Sequence, residues 1–481
     1  MPSQRKYHQV HEYGVVTTTR ALGAGTLAFW VILCPAALVS SLLYLADAVW
    51  GAILVGGISF VVAVIIAPEL GLYAYFAWQA FDPVFVSQTT GDFTPAKVFA
   101  PFLLVVFLLR LGSYRARMLV SRPFVVTMLA FGCYGLLGAA IAYEPLRALR
   151  FAGQIIVQVA LVIMTIHIMD TRDRVRRLML ATVAGGVLAA LLLLLPGVLP
   201  SRVTRASMGE ATDPNATAVA LAIALAAIPG AWVYAKRKAI YLFYVAAVPT
   251  LFVVLLKTGS RTGLLAVFSA FCLGALLARG VGVVKRGLMA CVFALVLGYM
   301  FVQVMRADLL SRGSRERIEE FVDYNRGGGH EDRIEIWKLA IRTYATSPIT
   351  GFGFGNTPQA LQRSHGWYKA IHNSYLGALV DGGPLGLFLF GYGLWCLIKC
   401  IRGIRGSSVA IPATIMLVLV LVPGLTLEIH FSKWFWIPAT ICLLLAEQSK
   451  REQLERTALP ALPSARRWSS PQEMRLPYGA A

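Results

Sequence analysis

Fourteen apolar stretches follow one another along this chain, separated mostly by short polar segments. A helix that crosses a membrane needs about 20 predominantly apolar residues, which most of these stretches provide. The pair at 48–81 is interrupted by Pro68 and Glu69 and is short for two full spans, so we expect twelve to fourteen transmembrane helices. The stretches are 21–45, 48–67, 68–81, 95–111, 122–142, 148–169, 178–200, 215–235, 239–256, 262–278, 287–305, 373–399, 408–427 and 431–447. The sequence therefore predicts an all-α polytopic membrane protein.

Composition excludes most other classes of protein. Of the 481 residues, 57% are hydrophobic and only 14% are charged, whereas a soluble globular protein has about 25% charged residues. A soluble enzyme, a disordered chain and a collagen are therefore excluded. The seven cysteines lie in or at the ends of apolar stretches, so we expect no disulfide framework either.

Five short basic connections fix the expected orientation. They are 110–122, 172–177, 236–238, 279–286 and 399–405, and the order of the spans places all five on the same side. Cytoplasmic loops are enriched in Lys and Arg, so this side is predicted to be the cytoplasm, together with both termini. We expect four regions. They are N-terminal transmembrane helices (1–305), one large helical outer loop (306–372), three C-terminal helices (373–447) and a cytoplasmic tail (448–481).

Six cations do not follow this pattern, because the topology places them at the outer membrane boundary. One interpretation is that these side chains reach the interface and pair with nearby acids. The other is a cationic pocket, in which guanidinium groups from several helices bind a diphosphate. Ionisable groups near the membrane core are costly, which favours the second interpretation for the set. The six are Arg147, Arg150, Arg202, Arg205, Lys257 and Arg261.

His372 and Asn373 lie at the same outer boundary, directly before a span. A lone histidine is often structural, but a neutral imidazole beside an anion pocket can accept a proton from a hydroxyl nucleophile. Asp213 and Asn215, at the start of another span, either cap that helix or orient an arginine or a sugar hydroxyl. The run GFGFGN (351–356) is not a nucleotide-binding loop and indicates a hinge or a close backbone approach.

No metal or other cofactor is expected. The sequence has no Asp-x-Asp and no His-Glu-x-x-His, and the acids at the outer boundary are few. A metal-dependent transferase is expected to carry paired carboxylates. Arginines would then stabilise a departing diphosphate in place of Mg²⁺.

Several short motifs, taken in order, resemble the shared core of the O-antigen ligase and polymerase superfamily over residues 120–447. The resemblance implies a glycosyltransferase at the periplasmic face of the bacterial inner membrane, with an architecture similar to that of GT-C-type lipid-sugar-dependent enzymes. The motifs are Asp213-Pro214-Asn215, Ser260-Arg261-Thr262-Gly263, Arg333, Trp337, Pro348, Gly351-Phe352-Gly353, His372-Asn373-Ser374-Tyr375-Leu376 and Gly382-Gly383-Pro384-Leu385-Gly386.

The resemblance also implies a donor, an acceptor and residue roles. The donor would be a glycan on undecaprenyl diphosphate, and in the ligases the acceptor is a sugar hydroxyl of the lipid A core. Transfer would be inverting and metal-independent, with His372 as general base and Arg261 and Arg205 as diphosphate ligands. Arg147, Arg150, Arg202 and Lys257 enter as diphosphate ligands on the topology argument. Supporting roles are expected for Asp213, Asn215, Asn373 and Arg333.

Three alternatives stay open at this point. A repeat-unit polymerase and a protein O-oligosaccharyltransferase share the same motifs and differ in the acceptor. An anionic-solute transporter would show inverted repeats and ionisable groups near the bilayer midplane, and we find no such repeat. Nucleic acid is not an expected partner, although membrane lipids are. Of the 44 Lys and Arg behind the net charge of +20, 17 lie in the five inner connections.

Overall fold

The computed structural model describes residues 29–45, 48–81, 95–114, 118–195, 214–235, 237–277, 282–307, 310, 314–316, 318, 329–404 and 406–458. Within these residues the secondary structure is helical, with no strand. The first eight α-helices are α1 (Cys34–Leu45), α2 (Val49–Ile66), α3 (Pro68–Trp78), α4 (Pro95–Leu109), α5 (Arg122–Gly138), α6 (Pro145–Ile168), α7 (Arg172–Leu194) and α8 (Pro214–Val233). A five-residue π-helical turn, Phe29–Leu33, precedes α1.

The second half of the chain adds eight more α-helices to the described part. They are α9 (Lys238–Lys257), α10 (Arg261–Leu277), α11 (Val283–Arg306), α12 (Gly329–Tyr344), α13 (Thr357–His365), α14 (Ser374–Gly403), α15 (Ala410–Leu421) and α16 (Lys433–Ala458). Two of them, α12 and α13, lie in the long connection between α11 and α14.

The prediction of an all-α polytopic membrane protein is confirmed. Seven helices in the described residues are long and apolar enough to cross a membrane, namely α5 with the short turn that follows it, α6, α7, α8, α9, α11 and α14. Shorter apolar helices accompany them, among them α10 and α15. Each of the fourteen apolar stretches contains at least part of one helix.

Helix α8 lies at the centre of the bundle, buried without interruption from Thr217 to Ile228. It packs against α7, α9, α10 and α15. Small residues permit this close packing: a Cβ added at Gly263 would lie 2.5 Å from the Cβ of Ala218, and one at Gly186 would lie 2.4 Å from that of Ala224. The close contact between α8 and α10 brings their first residues together.

Hydrogen bonds define one end of the bundle, which we call the Glu447 end. The buried carboxylate of Glu447 accepts bonds from the backbone N–H groups of Leu119, Val120 and Ser121 and from the Ser121 hydroxyl at the start of α5. The next residue of α16, Gln448, donates to the carbonyl of Met169 between α6 and α7. The starts of α5 and α7 and the ends of α6 and α16 therefore meet there. The opposite end, where α6, α14 and α16 begin, we call the His372 end.

Candidate active site

A cavity of about 720 Å³ opens at the His372 end. Helix α6, the loop before α13 and the connection between α15 and α16 form its walls, and α3, α4 and α8 each contribute residues. His372 lines it. Its charged lining residues are Arg147, Arg150, Glu428 and Lys433. The cavity therefore combines a histidine with three cations and one carboxyl group.

His372 has a strained backbone and is held by its neighbours. Its φ is 54°, the one positive value for a non-glycine residue in the described part of the chain. Such a conformation costs on the order of 1–3 kcal/mol and persists only where the surroundings impose it. The hydroxyl of Ser374 donates to the carbonyl of Leu427 at 2.9 Å and accepts from the N–H of Ile429 at 2.8 Å. These bonds tie the start of α14 to the connection that lines the cavity.

Asn373 is the N-cap of α14. Its side-chain oxygen accepts hydrogen bonds from the backbone N–H groups of Tyr375 and Leu376, each at 3.0 Å, and its amide donates to the carbonyl of Leu425 at 3.3 Å. A cap of this kind satisfies donors that the helix itself cannot. Asn373 thus sets the direction in which the chain leaves His372.

Arg147 and Arg150 lie one turn apart on α6 and both face the cavity. The Arg147 guanidinium donates to the carbonyl of Gly355 at 2.6 Å and to the Tyr368 hydroxyl at 3.1 Å, and it lies 5.5 Å from the Phe151 ring. Arg150 is the more exposed of the two. Two of the six boundary cations therefore share the cavity with His372.

A second group of predicted residues lies at the cavity edge. The side-chain oxygen of Asn215 accepts from the Ser260 hydroxyl at 2.6 Å, and that hydroxyl accepts from the N–H of Gly263 at 3.1 Å. Arg261 and Lys257 flank this turn and are half-buried. Neither lines the cavity, but Ala216, the neighbour of Asn215, does.

The other predicted site residues divide into two groups. Arg333 lies near the start of α12 and is half-buried, and it is not among the residues that line the cavity. Arg202, Arg205 and Asp213 fall outside the described residues.

The GFGFGN run connects α12 to α13 along the chain and forms a buried loop that packs between α6 and α14. All six residues are buried, and the carboxylate of Asp381 accepts from the N–H of Gly355 at 2.7 Å and from the N–H and hydroxyl of Thr357 at 3.0 and 2.5 Å. Gly355 has φ +71°, and a Cβ there would lie 2.2 Å from the Phe151 ring. The structure thus shows close backbone approach, one of the two interpretations given to this run.

Glu428 was not identified from the sequence. It lines the cavity, and its carboxyl oxygen would lie 3.2 Å from a Cβ at Gly377 in the first turn of α14. Burial and the nearby Asp381 carboxylate raise the pKa of Glu428 to about 8, although Arg147 acts in the opposite direction. This shift favours the uncharged acid, which adds no negative charge to a cavity lined by cations.

Lys433 was also missed, because it lies inside the apolar stretch 431–447 that predicts a span. The sequence did carry one signal: the connection LEIHFSK places Glu428, His430 and Lys433 within six residues, at the predicted outer boundary. Ionisable residues at that spacing between two spans are costly, so they indicate a functional site.

One comparison concerns the family. Residues 246–391 match the sequence model of the family described as O-antigen ligase. This match covers less than half of the chain and supports membership of the O-antigen ligase superfamily. Among curated proteins, none matches the chain.

The part that matches the O-antigen ligase family runs from the middle of α9 into α14 and includes Arg261 and His372. Arg147, Glu428 and Lys433 lie outside the matched segment, yet the fold brings them to the same cavity as His372. Among the described residues, no group of three or more His, Cys, Asp or Glu side chains is placed to hold a metal ion.

Proposed function

We propose that this protein is an O-antigen ligase, which transfers a glycan from undecaprenyl diphosphate to a sugar hydroxyl of the lipid A core. One observation carries the proposal: His372, Arg147 and Arg150 line a single cavity at one end of a bundle of apolar helices. A proton acceptor and two fixed cations are the groups that metal-independent transfer from a lipid diphosphate requires.

In the proposed reaction, the His372 imidazole accepts the proton of the acceptor hydroxyl. The hydroxyl oxygen forms a bond to the anomeric carbon of the donor sugar while the bond from that carbon to the diphosphate oxygen breaks. Attack from the face opposite the leaving group inverts the configuration. Arg147 and Arg150 bind the departing diphosphate, whose negative charge grows as the bond breaks.

The hydrogen bond between Asn215 and Ser260 supports a role for Arg261 at the cavity edge. This bond joins the first turn of α8 to the turn before Arg261. The backbone of Arg261 therefore lies close to the part of the cavity wall that Ala216 forms. We propose Arg261, with Lys257, as a further diphosphate contact. Supporting roles for Arg202, Arg205, Asp213 and Arg333 are proposed from the sequence.

The orientation is part of the same proposal. The basic connections that precede α5, precede α7 and follow α14 meet at the Glu447 end, where the Cys400 thiol donates to the carbonyl of Val120 at 3.1 Å. Because basic loops stay in the cytoplasm, the His372 end would face the periplasm of a bacterial inner membrane.

An acceptor series tests the proposal. Purified protein would receive a glycan on undecaprenyl diphosphate together with lipid A core, a second repeat unit on the same carrier, or a serine-containing peptide. We expect transfer to the lipid A core and no loss of rate with EDTA. Elongation on the carrier would instead indicate a polymerase, and a glycosylated peptide would indicate a protein O-oligosaccharyltransferase. Inhibition by EDTA would contradict the metal-independent mechanism.

A further inference from the structure

Lys433, the first residue of α16, is a cation inside the cavity that the proposed mechanism does not use. It is half-buried. Its ammonium group donates to the carbonyl of Gln79 after α3 at 3.2 Å and lies 4.6 Å from the ring of Trp434, which also lines the cavity. Both contacts are made by the ammonium group, so the side chain extends from α16 toward α3 with its charged end held in place. A cation fixed at this position within an apolar stretch is costly and indicates a specific ligand.

Polar side chains on α6 line the same cavity in a row. Arg150, Gln154 and Gln158 follow one another at intervals of four residues and all face the cavity. An interval of four keeps side chains on one face of a helix, and eight residues span about 12 Å along its axis. The row therefore runs from the cation cluster toward the interior of the bundle. In the apolar part of a membrane protein, such a row is expected to face a polar ligand or water.

Part of the cavity lining is apolar, namely Tyr75 of α3 and Ala100 and Pro101 of α4. The lining thus offers cations and amides together with aliphatic and aromatic surface. A lipid whose phosphate headgroup is followed directly by a hydrocarbon chain matches both kinds of surface at once, whereas a free anion uses the polar surface only.

We propose that Lys433 binds the phosphate that is esterified to the lipid chain, with Gln154 and Gln158 as hydrogen-bond donors beside it. This inference rests on the proposed function. Arg147 and Arg150 would then hold the phosphate next to the sugar. An ammonium group is a compact charge suited to one phosphate, and an arginine fork is suited to a leaving group with two oxygens in a plane.

Binding of polyprenyl phosphates to the full-length protein in phosphatidylcholine nanodiscs tests this assignment. The variants are Lys433→Gln, Lys433→Arg and, as a matched control, Lys399→Gln. Lys399 also contacts a tryptophan, with its ammonium 5.5 Å from the Trp395 ring, but it is exposed and lies on the part of α14 at the Glu447 end. Dissociation constants are measured for undecaprenyl diphosphate, undecaprenyl monophosphate and inorganic diphosphate.

We expect Lys433→Gln to weaken binding of both undecaprenyl phosphates about tenfold, because both carry the phosphate that Lys433 contacts. Lys433→Arg is expected to stay within about threefold of the wild type, and Lys399→Gln to match it. Inorganic diphosphate should bind more weakly than either lipid. The assignment is overturned if Lys433→Gln binds like the wild type, if it weakens only the diphosphate forms, or if Lys399→Gln has the same effect.

These outcomes can be separated from the failure of the proposed function. Wild-type protein that binds undecaprenyl diphosphate but transfers no glycan would remove the ligase assignment and keep the subsite. Transfer by the wild type, together with unchanged lipid binding by Lys433→Gln, would remove the subsite and keep the ligase assignment.

Discussion

At the scale of single residues, the charge of Glu428 decides whether this side chain can lie beside a bound anion. A carboxylate beside a bound diphosphate would repel it. Burial and the Asp381 carboxylate raise the pKa of Glu428 to about 8, which favours the uncharged acid, and an uncharged acid can donate a hydrogen bond. Glu428 lies beside the first turn of α14, and it lines the same cavity as His372.

Glu428 should also make stability depend on pH. Between its ordinary pKa of 4.5 and about 8, the folded protein keeps a proton that the unfolded chain has lost. The free energy of unfolding therefore falls as the pH rises through this window. Glu428→Gln is uncharged at every pH and should lack this slope, so its Tm relative to the wild type should rise from pH 5 to pH 9.

Thermal unfolding in detergent measures this difference. The control is Glu335→Gln, which removes an exposed carboxylate on α12. A difference in Tm between Glu428→Gln and the wild type that stays constant or shrinks as the pH rises would contradict the account.

At the scale of elements, the buried loop 351–357 lies between α6 and α14 in space and makes hydrogen bonds to both helices. Gly355 fixes this loop to both helices. Its carbonyl accepts a hydrogen bond from Arg147 of α6, and its N–H donates one to Asp381 of α14. Helix α14 itself bends at Gly383, which has φ 63° and precedes Pro384. The position of Arg147 in the cavity therefore depends on the backbone of a loop that is far from it in sequence.

Substitution of Gly355 by alanine should separate these two helices. The added Cβ would lie 2.2 Å from the Phe151 ring, and the residue would keep a φ of +71°. We expect a loss of about 2–6 kcal/mol in the free energy of unfolding, since steric overlap and left-handed strain each contribute about 1–3 kcal/mol.

The matched control is Gly366→Ala. Gly366 has φ +73°, but no atom lies within 4 Å of its added Cβ. It should therefore show the backbone strain without the steric overlap. Equal losses of stability for the two variants would show that loop 351–357 does not depend on close packing against α6.

At the scale of the whole molecule, the sequence predicted where the helices lie along the chain far better than which helices pack against each other. Hydropathy is a local property, so fourteen apolar stretches were enough to predict an all-α membrane protein. The contacts that hold the helices together are not local: Arg147 and Gly355, at the cavity, are 208 residues apart, and Glu447 and Ser121, at the opposite end of the bundle, are 326 residues apart. A single sequence gives no signal for such pairs.

The same limit applied to the site. Topology predicted six cations at the outer boundary, and the structure places two of them, Arg147 and Arg150, in one cavity with His372. It could not predict that Arg261 and Lys257 lie beside the cavity and not in it, since this depends on how α8 packs against α10. Lys433 was hidden because a hydropathy window averages one charge over many apolar residues.

His372 is the general base of the proposed mechanism, and the most direct test of that role is the initial rate of glycan transfer by His372→Asn. Asparagine tolerates the left-handed backbone but cannot act as the base. We predict a rate at least about 100-fold below that of the wild type, the usual contribution of a general base. His365→Asn, at the exposed end of α13, should keep the wild-type rate. A His372→Asn variant that transfers glycan at the wild-type rate would contradict the account.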